Sequence, residues 1–476
     1  MIRLILLIFV ASLIPAGMSG AFTAPEFNFT HYTTENILPS NSVRDIVQGP
    51  EGFMWFATDG GLVRFDGTTS KVMVPEDEDG ADFFIHSLCN SDKGLIVGSD
   101  RRLYRYDSRK ECLVPFPLRY SDKVKEEISG VVEDISTDST GGIWVSVDGK
   151  GVFHINSDDM VDFHQGFPEI ANFIGMIYVD ASDIVWCVST ANRGGMYRFD
   201  RGRARFEPFE IKIGGNKTHV DALAMMCDTH GDYWLATWDQ GILRFNGRTG
   251  AAEWVLGTED AGRVWHVHSI MEYSPSMLLV GSDSGLTLID KATGDCRVYK
   301  SDELNPQSLS DRFVYPIVRD EEGGLWVGTY YRGVNYMSRD SQRFRRWNHS
   351  RFANSVSGNV ISRFCEDERG DVWIGSADGG LCRYEPDTGH FTHYPLGGKN
   401  ETDNVNALLA DGDRLWVGMY SKGAGVLDMK TGAWRKVSVE GEYVYSSYAM
   451  SKDNAGNVWM ASNDMLTRYN KENDSF

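Results

Sequence analysis

One motif recurs along this chain at intervals of 41 to 48 residues, and that periodicity limits the fold more than any other feature. Its clearest copies run Trp55–Asp66 (WFATDGGLVRFD), Trp234–Asn246 (WLATWDQGILRFN), Trp326–Tyr336 (WVGTYYRGVNY) and Trp373–Tyr384 (WIGSADGGLCRY). The position held by Trp in good copies falls at Trp55, Ile96, Trp144, Trp186, Trp234, Leu279, Trp326, Trp373, Trp416 and Trp459, so ten units follow one another with no room for an inserted domain. A period in the forties with two-residue alternation is the length of a four-stranded propeller blade, whereas helical repeats of that period would need apolar spacing of about 3.6 residues. Each unit reads as strand A, a turn, strand B bearing the Trp, a short loop, strand C and an outer strand D. In the first unit these begin at Val43–Gln48, Phe53–Thr58 and Leu62–Asp66. The Trp rings pack between neighbouring sheets, a structural role.

The start of the chain shows how such a ring closes. Phe29–Tyr32 followed by Leu38–Val43 resembles Phe391–Tyr394 followed by Asn404 and Val405, so the leading element is a D strand without its own blade. Pairing with strand C of the seventh unit, Val334–Ser338, would remove an open sheet edge. The expected architecture is an all-β chain with a seven-bladed propeller over residues 22–342 and the first three blades of a second, incomplete propeller over 343–476. Three blades cannot close a ring, so the natural protein is expected to continue past Phe476.

Residues 1–21 carry a different signal. Arg3, the apolar run Leu4–Ile14 and the small residues Ser19–Ala21 read as the three regions of a cleaved export signal, and the run is too short to span a bilayer. Export makes disulfides possible, yet the seven cysteines (89, 112, 187, 227, 296, 365, 382) are scattered without a C-x-x-C spacing, which favours buried free thiols. The formal charge of −20 argues against nucleic acid or an anionic membrane surface as a partner.

The units resemble the two-component regulator propeller repeat, most closely at Asp320–Tyr336 and Asp367–Tyr384, and the resemblance covers residues 28–476. It implies the exported, periplasmic sensor region of a hybrid two-component system that binds an oligosaccharide. The same resemblance implies a dimer in the full-length protein, with a membrane helix, histidine kinase, receiver and DNA-binding module in a C-terminal part outside these residues. No cofactor or metal is implied.

In a propeller the B-to-C and D-to-A loops share one face around the central channel, where binding groups concentrate. Three B-to-C loops are rich in aromatic and polar residues: Asn192 and Arg193; Trp238, Asp239 and Gln240; and Tyr330, Tyr331 and Arg332. The D-to-A connections add Trp265 and His266 before the sixth unit and Arg312 before the seventh. Aromatic planes beside planar polar groups suit a sugar, and the arginines could pair with a carboxylate or sulfate. Packing alone is the competing role for this cluster. Two other classes stay open. A propeller glycoside hydrolase would need a carboxylate pair, for which Asp221, Asp239 and Glu303 are conceivable members without a pairing signature. A protein-interaction scaffold would show a large apolar or charged patch.

Overall fold

The computed structural model describes residues 24–75, 83–121, 124, 126–164, 173–190, 195–257, 266–343, 347–350, 354–396, 403–439 and 446–476. The export signal read at 1–21 lies outside them. The chain divides into two compact units, Met1–Asp302 with Gln307–Arg343, and Glu303–Pro306 with Phe344–Phe476. The described residues form ten sheets, one for each repeat and antiparallel through their repeat strands, and a single 3-10 turn at Arg339–Arg343.

The first unit holds seven of the sheets. In the first sheet, Val43–Gln48, Met54–Thr58, Gly61–Phe65 and Ser70–Met73 lie side by side in chain order, and the other sheets repeat this pattern. Two sheets carry outer additions that the repeat does not announce. Arg119–Tyr120 runs parallel to Met160–His164, and a hairpin of Lys212–Ile213 and Asn216–Lys217 lies beside Ala251–Leu256. Each innermost strand packs on the next, and the last, Val314–Arg319, returns to the first, Val43–Gln48. In five of the seven sheets the second strand is buried along its whole length, and in the other two all but its first residue is, because a neighbouring sheet covers each face. Trp144, for example, packs with Ile177 and Cys187 of the following sheet.

The leading strand Thr30–Tyr32 completes the seventh sheet, with Thr30 opposite Tyr336 and Tyr32 opposite Val334. The Tyr32 ring stacks on Trp326 at 5.8 Å, and Phe27 stacks on Tyr299 at 4.4 Å. Gly333 is required at this junction. Its φ is +76°, and a Cβ there would lie 2.2 Å from the Tyr32 carbonyl oxygen.

The Asp of the A-to-B turn explains why the repeat couples Asp to a Trp six residues later. Asp138 Oδ2 accepts from the Trp144 indole N–H at 3.0 Å, while Oδ1 accepts from the Gly142 backbone N–H at 3.0 Å. The same bond joins Asp228 to Trp234 (2.9 Å), Asp320 to Trp326 (2.8 Å), Asp367 to Trp373 (3.0 Å) and Asp453 to Trp459 (2.9 Å). One carboxylate thereby shapes the turn and satisfies a buried indole. Where the turn is shortened to Asp411–Arg414, Trp416 Nε1 is buried without a partner among the described residues.

The second unit holds three successive sheets, whose inner strands are Ile361–Glu366, Val405–Asp411 and Ser447–Lys452. Phe364 on the first inner strand is 66% exposed, and Leu466 on the last strand is 69% exposed. The apolar pattern continues on these outward faces although nothing in the described residues covers them.

Cys187 and Cys382 are buried, and the other five cysteines are half-buried. Asp228, His230 and Glu272 cluster closely, but Lys291 Nζ already bridges Asp228 at 2.7 Å and Glu272 at 2.6 Å, so the cluster is a buried ion-pair network joining two sheets.

The Asp-to-indole bond makes a testable claim. Burial works to raise the Asp138 pKa, but bonds from Thr140, Trp144 and Gly142 carry it down to about 2. A depressed folded-state value means its stabilisation is present above the ordinary carboxylate range and is lost as pH falls toward about 2. Asp138→Ala should destabilise the protein by about 2–3 kcal/mol at neutral pH, the scale of a stranded buried donor. Urea titration should show this gap narrowing in acid. An unchanged midpoint at neutral pH would reject the bond as a stabilising element.

Candidate functional site: the central channel of the first unit

Every innermost strand of the first unit carries a β-bulge near its start. Val43 pairs with Thr58 and Asp45 with Ala57, leaving Arg44 as the extra residue. The same shift leaves out His86, Glu133, Gly175, Leu223 and His268 in the next five sheets, and it spans Tyr315 and Pro316 in the seventh. A bulge re-aims a side chain. Here Arg44, His86, Glu133, Gly175, Leu223, His268 and Tyr315, one residue from each sheet, line both of two cavities of about 310 Å³ each. The deeper cavity continues to Asp45, Asp134 and the apolar side chains of Met225 and Ile270. The outer one is walled by Trp238, Thr190 and Asp148, which lie at or beside the B-to-C loops.

In the first, third and sixth sheets the residue after the bulge ties its strand to the next. Asp45 accepts from the Leu88 backbone N–H at 2.7 Å, Asp134 from Ile177 N–H at 2.8 Å, and the Ser269 hydroxyl donates to the Tyr315 carbonyl. The ring of re-aimed residues therefore rests on strands bonded sheet to sheet. Loops above it are equally fixed. Thr237 Oγ1 donates to Gly241 O at 2.8 Å and accepts from Gln240 N–H, clamping the loop that carries Trp238. Thr329 does the same for Tyr330–Arg332, donating to Gly333 O at 2.8 Å. Trp238 N–H donates to Asp221 O, and His266 N–H donates to Trp238 O, so adjacent loops are joined.

An aromatic and imidazole chain runs along one side of the mouth. The Trp238 ring lies 3.8 Å from that of His266, and His266 and His268 both bond Asp283 at 2.8 Å. His268 stacks on Tyr315 at 3.9 Å, and Tyr315 packs on Tyr330 at 5.3 Å. His266 holds a φ of +48°, uncommon for a residue with a side chain, and such backbone conformations concentrate at binding sites. Trp238 nonetheless remains 46% exposed.

Charge in the ring is uneven. Arg44 Nε donates to Asp59 at 2.7 Å; burial acts to lower the guanidinium pKa, but this partner raises it overall. Burial, helped by Arg44, lowers the His86 imidazole to about 4. Burial also lowers His268 against the opposing pull of Asp283. Glu133 is raised by burial and then by Asp148, with Arg44 working against both. At the floor, burial lifts Asp45 and Asp134 to about 7 despite the backbone N–H groups bonded to them.

The residues singled out by sequence divide into three groups. Trp238 lies on the cavity wall and His266 is stacked against it. Tyr330 and Tyr331 stand farther out: Tyr330 packs on Tyr315, and Tyr331 packs edge-on against Tyr330 and Phe313. Arg312 lies over Phe313 at 4.5 Å, and Asp239 and Arg332 are on the rim beside Gln240 and Tyr331. Asn192, Arg193 and Trp265 lie outside the described residues. Of the carboxylates considered for hydrolysis, Asp221 is engaged by His219 at 2.8 Å, and Glu303 belongs with the second unit. Sequence reading missed the bulged ring. Its signal is an apolar residue, a variable residue, then often Asp or Ser, as in Val43-Arg44-Asp45, Ile85-His86-Ser87, Val132-Glu133-Asp134 and Val267-His268-Ser269.

The raised Asp45 and Asp134 values are directly measurable. Because burial places them above the ordinary value of 3.8, protonation favours the folded chain; the contribution is full below that value and is lost as pH rises through about 7. Carboxyl carbon NMR should find two side chains titrating near 7 that vanish from the spectra of Asp45→Ser and Asp134→Ser. Midpoints near 4 would show that the channel floor is hydrated and ionised.

The two-component regulator propeller model matches residues 37–60, 308–331 and 355–378. Among curated proteins no sequence matches the chain. Among solved structures, the extracellular domain of a putative hybrid two component system from B. thetaiotaomicron is 18% identical with a TM-score of 0.62, over 94% of this chain and 66% of that one. The extracellular domain of a putative one component system from the same organism is 17% identical with a TM-score of 0.54, over 94% and 67%. A catalytically inactive virginiamycin B lyase from Staphylococcus aureus, with quinupristin, is 13% identical with a TM-score of 0.51, over 66% of this chain and 99% of that one. The chain thus spans about two thirds of the length of the two extracellular domains it resembles. The chain thus carries two-component regulator propeller repeats at residues 37–60, 308–331 and 355–378, and its sheet order agrees with the fold of these solved structures.

Proposed function

We propose that the chain is an exported sensing region of a two-component signalling protein and that it binds an oligosaccharide at the mouth of the first unit's channel. The observation that carries this reading is the exposed face of Trp238 over a cavity walled by His268, Tyr315, Glu133 and Arg44. Sugars present apolar ring faces and hydroxyl edges, so a recognition site needs aromatic planes next to polar groups held in place. Trp238 supplies such a plane, and the clamped loops and stitched strands hold the polar groups with little ordering left to do on binding. Arg332 on the rim is exposed, and its guanidinium has no protein partner among the described residues.

The extracellular origin of two structural neighbours supports placing this unit outside the cytoplasm. Among the described residues no helix is long and apolar enough to cross a membrane. Signal relay requires the ligand to favour one arrangement of the protein over another, by as much as its affinities for the two differ. The same proposal assigns the kinase output, and a dimer through which it is controlled, to the full-length protein.

Isothermal calorimetry with a panel of oligosaccharides tests the site. Trp238→Ala should weaken the bound oligosaccharide by about tenfold or more, the scale of an aromatic anchor. Arg332→Ala should weaken it less, as expected of a rim contact. Unchanged affinity in both variants, with the circular dichroism of the native fold, rejects this site; consumption of the sugar would instead favour a hydrolase.

A further inference from the structure

We propose that the ring of bulged residues in the first unit binds an amino group of the ligand, held against the Glu133 carboxylate with Asp148 beside it. This rests on the saccharide reading above and narrows the ligand to sugars carrying a free amine.

The inference starts from what the channel lacks. Glu133 lines both cavities, yet no protein hydrogen bond or ion pair engages its carboxylate among the described residues. Asp148, on the loop of the same sheet, adds a second carboxylate to the outer cavity and acts on Glu133 in the direction of like charges. The fixed positive charge in the lining, Arg44, is already bonded to Asp59. His86 and His268 are held toward their neutral forms by burial and so add little positive charge at neutral pH. The floor adds Asp45 and Asp134, each bonded to backbone N–H groups.

A partly buried carboxylate without a partner is unfavourable, and a second one nearby makes it more so. A ligand carboxylate or sulfate would increase that repulsion, whereas an ammonium group would relieve it through charge-assisted hydrogen bonds. Space is available on the correct side. Gly175, next in the ring after Glu133, contributes no side chain, and Leu223 beyond it is apolar. A cavity of about 310 Å³ is at the small end for ligand sites and suits one sugar ring with its substituents. Trp238 and Tyr315 offer ring planes at its mouth. Arg312 and Arg332, the cations that sequence pattern offered for acidic sugars, are not among the residues lining either cavity.

The test uses calorimetry on the intact chain with short oligomers of glucosamine and galactosamine, each as the free amine and as its N-acetyl form, and with an oligogalacturonate. At least one free-amine oligomer should bind about tenfold or more tightly than its acetylated partner, the scale of one charge-assisted hydrogen bond. Glu133→Gln should erase that preference, and Asp148→Asn should reduce it. Trp238→Ala should weaken both forms alike. The inference is overturned if the amine and N-acetyl forms bind equally, if no free-amine oligomer binds, if the uronate binds best, or if the preference survives in Glu133→Gln. Should Glu133→Gln fail to fold, an undiminished preference in Asp148→Asn overturns it equally. Because Trp238→Ala reports on saccharide stacking and Glu133→Gln on the amine, loss of one leaves the other standing.

Discussion

The bond from an A-to-B turn carboxylate to an indole six residues ahead is the contact on which the rest of this architecture depends. A Trp between two sheets supplies a large apolar area, but its N–H must find an acceptor when water is excluded. Placing the acceptor on the adjoining turn lets one Asp close the hairpin and satisfy the ring together. Sheets that carry both residues then meet a neighbour through an aromatic face whose N–H is bonded. Because the arrangement is local, it repeats wherever the sequence supplies Asp and Trp at that spacing, and Trp416 shows the alternative, an indole buried without a partner among the described residues.

Rigid sheets of this kind would enclose a channel lined by regular alternation, with no reason for polar groups to converge. The bulges change that. An extra residue near the start of each inner strand of the first unit places one residue per sheet on the channel, and in the first, third and sixth sheets the next residue, Asp45, Asp134 or Ser269, bonds to the neighbouring strand. Structural and binding roles are thereby assigned to adjacent positions. Asp45 and Asp134 hold strands together, Arg44 pairs with Asp59, and Glu133 remains available to the cavity. The resulting ring is asymmetric: five sheets contribute Arg44, His86, Glu133, His268 and Tyr315, and two contribute Gly175 and Leu223, so charge and open space lie on different sides.

How this ring relates to the loop face is a matter of depth. Trp238 and His266 form part of the mouth because their loops fold over the bulged strands, and Thr237 clamps one of these loops. Tyr330, Tyr331 and Arg312 were attractive by composition, yet they pack among themselves and against Phe313, which leaves the rim aromatic but places them outside the cavity lining.

Periodicity determined the all-β class, the ten sheets and the Trp positions on the second strands, because each of these follows from spacing along one strand or one turn, and the likeness of Phe29–Tyr32 to Phe391–Tyr394 pointed to the pairing of Thr30–Tyr32 with the seventh sheet. The tertiary structure decided which polar residues face the channel. Arg44, Glu133 and His268 sit in strands whose alternation looks ordinary, and only the bulge, a feature of pairing between two strands, shows that these side chains are turned inward. Burial decided their electrostatics in the same way: the identity of Asp45 is written in the chain, but a value near 7 arises from the strands packed around it.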